Sequence, residues 1–304
     1  MLIDGIVASS MTPFSPAGDL RLDLIPAHID WLIGEGVSGI SPLGSSGEFV
    51  GIESDDRKRV VEAVIAANAG RVHIMAGTHH YSTRIARDLS RHAEQAGANS
   101  LLVTPPYYMH PSINQVLDHY RRLADAVRIP IVVYYNFGGT NIDLRTEHLV
   151  TLFEEKAIAG VKLSNTNPDR ICELLQATDR RLVIYAGIDT VAFEGLCHGA
   201  HGWISALPSI VPRAAKKLYE TISIQGDLAA ARRQWRALAP LMRLVFREHL
   251  GAGNDPNWLA IMKATLNMIG PSVGDPLLPI QPLDARTKET IAGMVRDLGY
   301  DVHA

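Results

Sequence analysis

The feature that most limits what this chain can fold into is a rhythm. Eight short β-rich runs recur along its first two-thirds, and amphipathic helical stretches fill the intervals. The spacing is roughly 25–35 residues, the size of one βα unit. The runs are Ile3–Ser9, Gly39–Leu43, Val72–Ala76, Ser100–Thr104, Ile131–Tyr135, Ala159–Leu163, Leu182–Ala186 and Gly202–Ile204. Most are apolar on both faces, as parallel strands must be when helices cover one side and other strands the other. Helical periodicity lies between them, for example over Asp55–Asn68, Thr83–Gln95 and Asn114–Ala126. Glycines at Gly36, Gly97 and Gly199 join helix ends to strands. Each can take the left-handed backbone conformation that stops a helix, so the next strand begins almost at once.

Eight such units in about 220 residues predict an α/β fold of the closed (β/α)8 type, a TIM barrel. The alternative, an open doubly wound sheet, usually carries a Gly-rich loop after its first strand. Here that position holds Ser9-Ser10-Met11-Thr12-Pro13. Past Pro208 the strand pattern stops. Pro212–Ile224 reads as the helix of the eighth unit, with Gly226 as its stop signal, and Asp227–Glu248, Pro256–Ile269 and Asp284–Leu298 as three appended helices. The expected organisation is a barrel over residues 1–226 with a helical region over 227–304 packed on it.

A net charge of −3 supplies no bulk field for nucleic acid or an anionic membrane surface. Apolar runs such as Ile129–Tyr135 are too short to cross a bilayer. Met1–Phe14 contains no Lys or Arg, unlike a secretory or transit leader. The two cysteines, Cys172 and Cys197, fall in predicted helices, which suits reduced thiols and a cytoplasmic location.

In a barrel, chemistry gathers at the C-terminal ends of the strands and in the loops that follow. The second strand runs into Gly44-Ser45-Ser46-Gly47-Glu48, whose free amides and hydroxyls could hold a carboxylate or phosphate, or form a plain turn. Tyr135 ends the fifth strand, on the face shared by Ile131 and Val133. It is either core or part of a site. Lys162 is a lone charge near the end of an apolar sixth strand, on the face of Ile158 and Gly160. An amine buried there favours its neutral form, the nucleophile that forms an imine with a carbonyl substrate. It could instead reach out of the barrel mouth or pair with a carboxylate. With Tyr135 on the adjacent strand, a nucleophile beside a proton shuttle is the better reading.

At these residues the chain resembles the dihydrodipicolinate synthase / N-acetylneuraminate lyase family of pyruvate-dependent class I aldolases and dehydratases. The resemblance rests on Gly44-Ser45-Ser46-Gly47-Glu48-Phe49, Val103-Thr104-Pro105-Pro106-Tyr107-Tyr108, Tyr135-Asn136, Gly160-Val161-Lys162, Gly187-Ile188-Asp189 and Gly199 to Ser205, in family order. It implies a Schiff base on Lys162, proton transfer by Tyr135, and a relay through Ser45. Ser46 and Gly44, with Gly187 and Ile204, would bind the 2-oxo acid. Tyr108 matches a tyrosine that in many members reaches into a neighbouring subunit's site, which implies a homo-oligomer, a dimer or tetramer. No metal or organic cofactor is implied; the partner is a small 2-oxo acid, with no nucleic acid or membrane.

One departure bears on the second substrate. Lysine-pathway synthases place an arginine four residues after the Tyr-Asn asparagine, where this chain has Thr140. A threonine cannot replace bidentate carboxylate recognition. A sugar-acid or hydroxyproline-catabolic substrate is therefore expected ahead of aspartate semialdehyde. The alternatives are a true 4-hydroxy-tetrahydrodipicolinate synthase despite the missing arginine, or a non-catalytic barrel that binds a 2-oxo acid. His79-His80 invites a metal, but adjacent side chains chelate one ion poorly and no His-x-His ends the first strand, so hydrogen-bonding or pocket roles are expected. Trp203 and His110 read as structural.

Overall fold

The computed structural model describes residues 1–248, 251–253 and 255–303. Its core is a closed parallel barrel in the order β1 to β8: β1 (Gly5–Ala8), β2 (Gly39–Ile40), β3 (His73–Gly77), β4 (Ser100–Val103), β5 (Ile131–Tyr135), β6 (Gly160–Leu163), β7 (Val183–Ala186) and β8 (Gly202–Trp203). All eight expected strands are present, several shortened at their ends. Pairing of β1 with β8 closes the ring through Gly5–Gly202 and Ile6–Trp203.

Alternation gives each strand an inner and an outer set of side chains. Val7, Met75, Leu102, Val132, Tyr134, Tyr185 and Ile204 form the packed interior. The outer set, including Val133, Tyr135, Val161, Leu163 and Trp203, joins the much larger core between barrel and helices. The large Tyr185 fits inside because Gly202 faces it: a Cβ there would lie 2.9 Å from the Tyr185 ring.

The helices that flank the barrel are α1 (Ile25–Gly34), α2 (Ser54–Asn68), α3 (Thr83–Ala96), α4 (Ile113–Ala124), the single turn α5 (Phe137–Thr140), α6 (Thr146–Glu154), α7 (Asp169–Ala177), α8 (Ala192–Cys197), the single turn α9 (Leu207–Ile210) and α10 (Pro212–Ser223). Gly36, Gly97 and Gly199 have φ of 88°, 108° and 93°, the left-handed turns expected of them. Side-chain caps mark several starts: Ser112 and Gln115 close a reciprocal box on α4.

Three more helices follow, α11 (Leu228–Val245), α12 (Trp258–Ile269) and α13 (Ala285–Asp297), started by the side chains of Asp227, Asn257 and Asp284. α12 is buried along most of its length, including Lys263 and Thr265. Lys263 is wholly buried, and its ammonium lies 2.6 Å from the Glu48 carboxylate. It also donates to the carbonyls of Thr12 and Asp275, each at 3.0 Å. The second Glu48 oxygen accepts from the Leu277 amide at 2.7 Å. The loop after β2 is thus bound to α12 and to the chain that follows it.

Candidate active site

β6 carries Lys162 into the barrel mouth, 4% exposed. The ladder sets it opposite Tyr134 on β5 and Tyr185 on β7. Its Nζ lies 3.9 Å from the centre of the Tyr134 ring. The Tyr134 hydroxyl meets Ser45 Oγ at 3.4 Å. The tyrosine beside the lysine is therefore Tyr134, and the expectation for Tyr135 is corrected. Tyr135 does share a face with Ile131 and Val133, but that face is the outer one. Its hydroxyl donates to Asp143 at 2.9 Å, and the Arg170 guanidinium lies 4.5 Å over its ring. β5 is buried throughout, so alternation divides its residues into two sets without saying which looks inward. Its ladder with β6 decides: Val132 pairs with Gly160 and Tyr134 with Lys162.

Burial alone would raise the Tyr134 hydroxyl. The Lys162 charge and hydrogen bonding with Ser45, Lys162 and Ser164 outweigh it, so its pKa lies below that of an ordinary phenol. A phenol so placed is suited to move a proton to and from groups next to the amine.

Above this pair opens a chamber of about 680 Å³. Ser45 and Ser46 stand on its wall, on a tight turn of three residues after Gly44. Among the described residues the partner of Ser46 Oγ is the Met262 sulfur, at 3.9 Å, which leaves the hydroxyl available to a ligand. Gly187 also lines the chamber, held by a 2.6 Å bond from Ser164 Oγ to its carbonyl. The remaining expected residues stand elsewhere. Gly44 is not on the wall, and Ile204 lies in the packed interior. Thr140 lines an adjoining cavity of about 360 Å³ and donates to the Asn136 carbonyl at 2.8 Å. Tyr108 is 78% exposed and outside the chamber.

Sequence reasoning missed Ser9, Ser164 and Ser205, each just past a strand end and so open to the same argument that found Ser45. It also missed Asn165, Thr166, Trp258 and Met262 on the wall. Among the described residues lining the chamber, Lys162 and Glu248 are the only charged ones. Among the described residues no guanidinium lines it. His79 is buried and His80 accepts from the Ser82 amide, and among the described residues no cluster of His, Cys, Asp and Glu could hold a metal.

Asp189 supports the wall from behind. It is wholly buried, accepting from Trp203 Nε1 at 2.7 Å and from the Leu207 amide at 3.0 Å. Trp203 thus has a structural role, as expected. Burial pushes the Asp189 carboxyl up to about 7, against hydrogen bonds from Leu207, Trp203, Ser205 and Ala206 that lower it. An acid raised in the folded state binds more protons folded than unfolded between about pH 4 and 7, so its contribution to stability falls as pH rises through that window. Chemical unfolding of wild type and Asp189→Asn at pH 5 and pH 8 should show a larger wild-type advantage at pH 5. An equal or larger advantage at pH 8 would contradict this.

The model of the Dihydrodipicolinate synthetase family matches residues 2–298. The chain belongs to the dihydrodipicolinate synthetase family. It is accordingly a lyase of the class the sequence led us to expect. A 4-hydroxy-tetrahydrodipicolinate synthase of Rhizobium meliloti is 32% identical over 302 residues, 98% of this chain and 99% of that one. The enzyme of the same name from Nitrobacter hamburgensis is 34% identical over 281 residues, 91% of this chain and 92% of its own. Among solved structures, YagE, a prophage protein of this family from E. coli K12 in complex with pyruvate, superposes with a TM-score of 0.90 at 27% identity. That match covers 98% of this chain and 99% of YagE.

Proposed function

We propose that this lyase forms a Schiff base between Lys162 and pyruvate or a closely related 2-oxo acid. The observation that carries the reading is the buried Lys162 amine against the Tyr134 phenol, which in turn meets Ser45. YagE, of the same family and fold, is described in complex with pyruvate. The amine nitrogen attacks the 2-oxo carbon, and the carbinolamine then loses water to give the imine. Tyr134 delivers the proton that lets the hydroxyl leave. The protonated imine is an electron sink, so the adjacent methyl loses a proton and an enamine forms. The enamine carbon attacks an aldehyde, and hydrolysis of the new imine returns the Lys162 amine. Cleavage is the same path reversed. Ser46 and the amides of its turn hold the carboxylate, and the reaction needs no metal or organic cofactor.

For the second reactant we favour a neutral hydroxylated aldehyde, as released from a 2-oxo sugar acid. Serine, threonine and asparagine side chains on the wall suit hydroxyl groups, and among the described residues no arginine lines it to grip a second carboxylate. The other reading, a 4-hydroxy-tetrahydrodipicolinate synthase, is favoured by the names of relatives at 32–34% identity. No helix among the described residues is long and apolar enough to cross a membrane, and we place the enzyme in the cytoplasm. Tyr108 and Met109, 78% and 68% exposed, are the apolar surface through which we expect it to form a homo-oligomer.

Borohydride trapping tests the imine. Incubation with pyruvate and borohydride should add one reduced pyruvate to Lys162, and Lys162→Met should abolish both the adduct and turnover. A wild-type protein that stays unmodified with pyruvate and with a panel of 2-oxo acids would overturn the proposal.

A further inference from the structure

We propose that His79 is a positioning residue for Tyr134: a neutral imidazole, pinned to the Thr104 backbone, that holds the phenol facing Lys162 and Ser45. The role in turnover rests on the imine reading above; the packing role does not.

His79 is wholly buried and does not line the chamber, so no substrate touches it. Its ring lies between two others, 4.6 Å from that of Phe49 and 5.9 Å from that of Tyr134. Arg57 covers the Phe49 ring at 5.5 Å and donates to the His79 carbonyl at 2.9 Å. Lys162 stands 3.9 Å from the centre of the Tyr134 ring. The result is a column from α2 to β6: cation, three rings, cation. Tyr134 has neighbours on both sides, and its hydroxyl is directed to the group formed by Ser45, Lys162 and Ser164.

The imidazole itself is fixed by a single bond. The Thr104 amide donates to His79 Nδ1 at 2.9 Å. In a neutral ring that leaves the proton on Nε2. Burial, with Arg57 on one side and Lys162 on the other, keeps the ring neutral well below the usual histidine range. A protonated ring would crowd a third cation between those two. Among the described residues Nε2 has no hydrogen-bond partner, and neither has Thr104 Oγ1. A hydrocarbon ring would strand no N–H, so the use of histidine here lies at its other edge, in the bond to Thr104. Gly77 keeps this corner open: a Cβ there would strike the Leu43 carbonyl first and would also come within 2.9 Å of Nε2.

The test uses the full chain with tyrosine labelled by 13C at Cζ, the Tyr134 signal being identified by its loss in Tyr134→Phe. His79→Phe keeps a ring and removes the pin; His79→Gln keeps an acceptor for Thr104. With His79→Phe, imine formation at saturating pyruvate should slow about tenfold, with apparent affinity within about twofold, as for a reacting group displaced rather than removed. The Tyr134 titration midpoint and the matching limb of the rate profile should shift together, and His79→Gln should recover part of both. If His79→Phe does not fold, Phe49→Leu releases the imidazole from its other side and carries the same expectation. Wild-type rate and midpoint in the folded variant, with at most a lower Tm, would overturn the proposal. A wild type that forms no adduct defeats the imine reading instead, and the titration still tests the positioning.

Discussion

Tyr134→Phe should slow imine formation by about 10²–10⁴-fold, the usual worth of a positioned acid–base group, while Tyr135→Phe leaves the rate nearly unchanged. The two substitutions remove the same atom from adjacent residues, so only location distinguishes them. The Tyr134 hydroxyl is 3.4 Å from Ser45 and belongs to the ring beside Lys162. The Tyr135 hydroxyl faces Asp143, on the other side of the strand. Losing that bond should cost about 1 kcal/mol of stability, as for an ordinary hydrogen bond. Borohydride quenching at timed intervals, with mass detection, gives the rates, and chemical unfolding gives the stabilities. A slow Tyr135→Phe beside an unimpaired Tyr134→Phe would reverse the assignment of roles.

Glu48→Gln should be the most destabilising of the conservative substitutions, by about 3–5 kcal/mol, the range for removing one partner of a buried ion pair. Lys263 has no route to water, and its ammonium is satisfied by Glu48, two carbonyls and the face of the Phe14 ring. Burial pushes the Lys263 amine down, and Glu48 holds it up. Without the carboxylate the lysine can shed its proton, which limits the loss to the lower part of that range. Pairing Glu48→Gln with Lys263→Met should restore most of the stability, because no uncompensated charge then remains. Thermal and urea unfolding of the two single variants and the double variant give the coupling; strict additivity would show that the pair does not act as a unit.

The barrel was legible because its signals are local: strand runs, helical periodicity and helix-stopping glycines each occupy a few neighbouring residues. Lys162 was legible because a charge interrupting an apolar strand stands out. Tyr135 was misplaced for the reason that made β5 recognisable: five apolar residues mark a buried strand but carry no polar mark to show its inner face. The choice between Tyr134 and Tyr135 depended on the register with β6, a relation between distant segments. Trp258 and Met262 lay beyond sequence reasoning for a similar cause. A mostly apolar helix is expected to be buried, yet its pattern does not say that it closes a barrel mouth.

The bond between Glu48 and Leu277 spans 229 positions, and that gives the site a place in time. Chains emerge from the ribosome N-terminus first and fold as they lengthen. The Ser45–Ser46 turn is made early, but the lysine and the amide that hold its neighbour Glu48 are made more than two hundred residues later. A ribosome that stops before Lys263 releases a chain with Lys162 already present and Glu48 without the partners that anchor its loop. A firm seat for a carboxylate at that turn should therefore come only after α12 and the segment that follows it have been made.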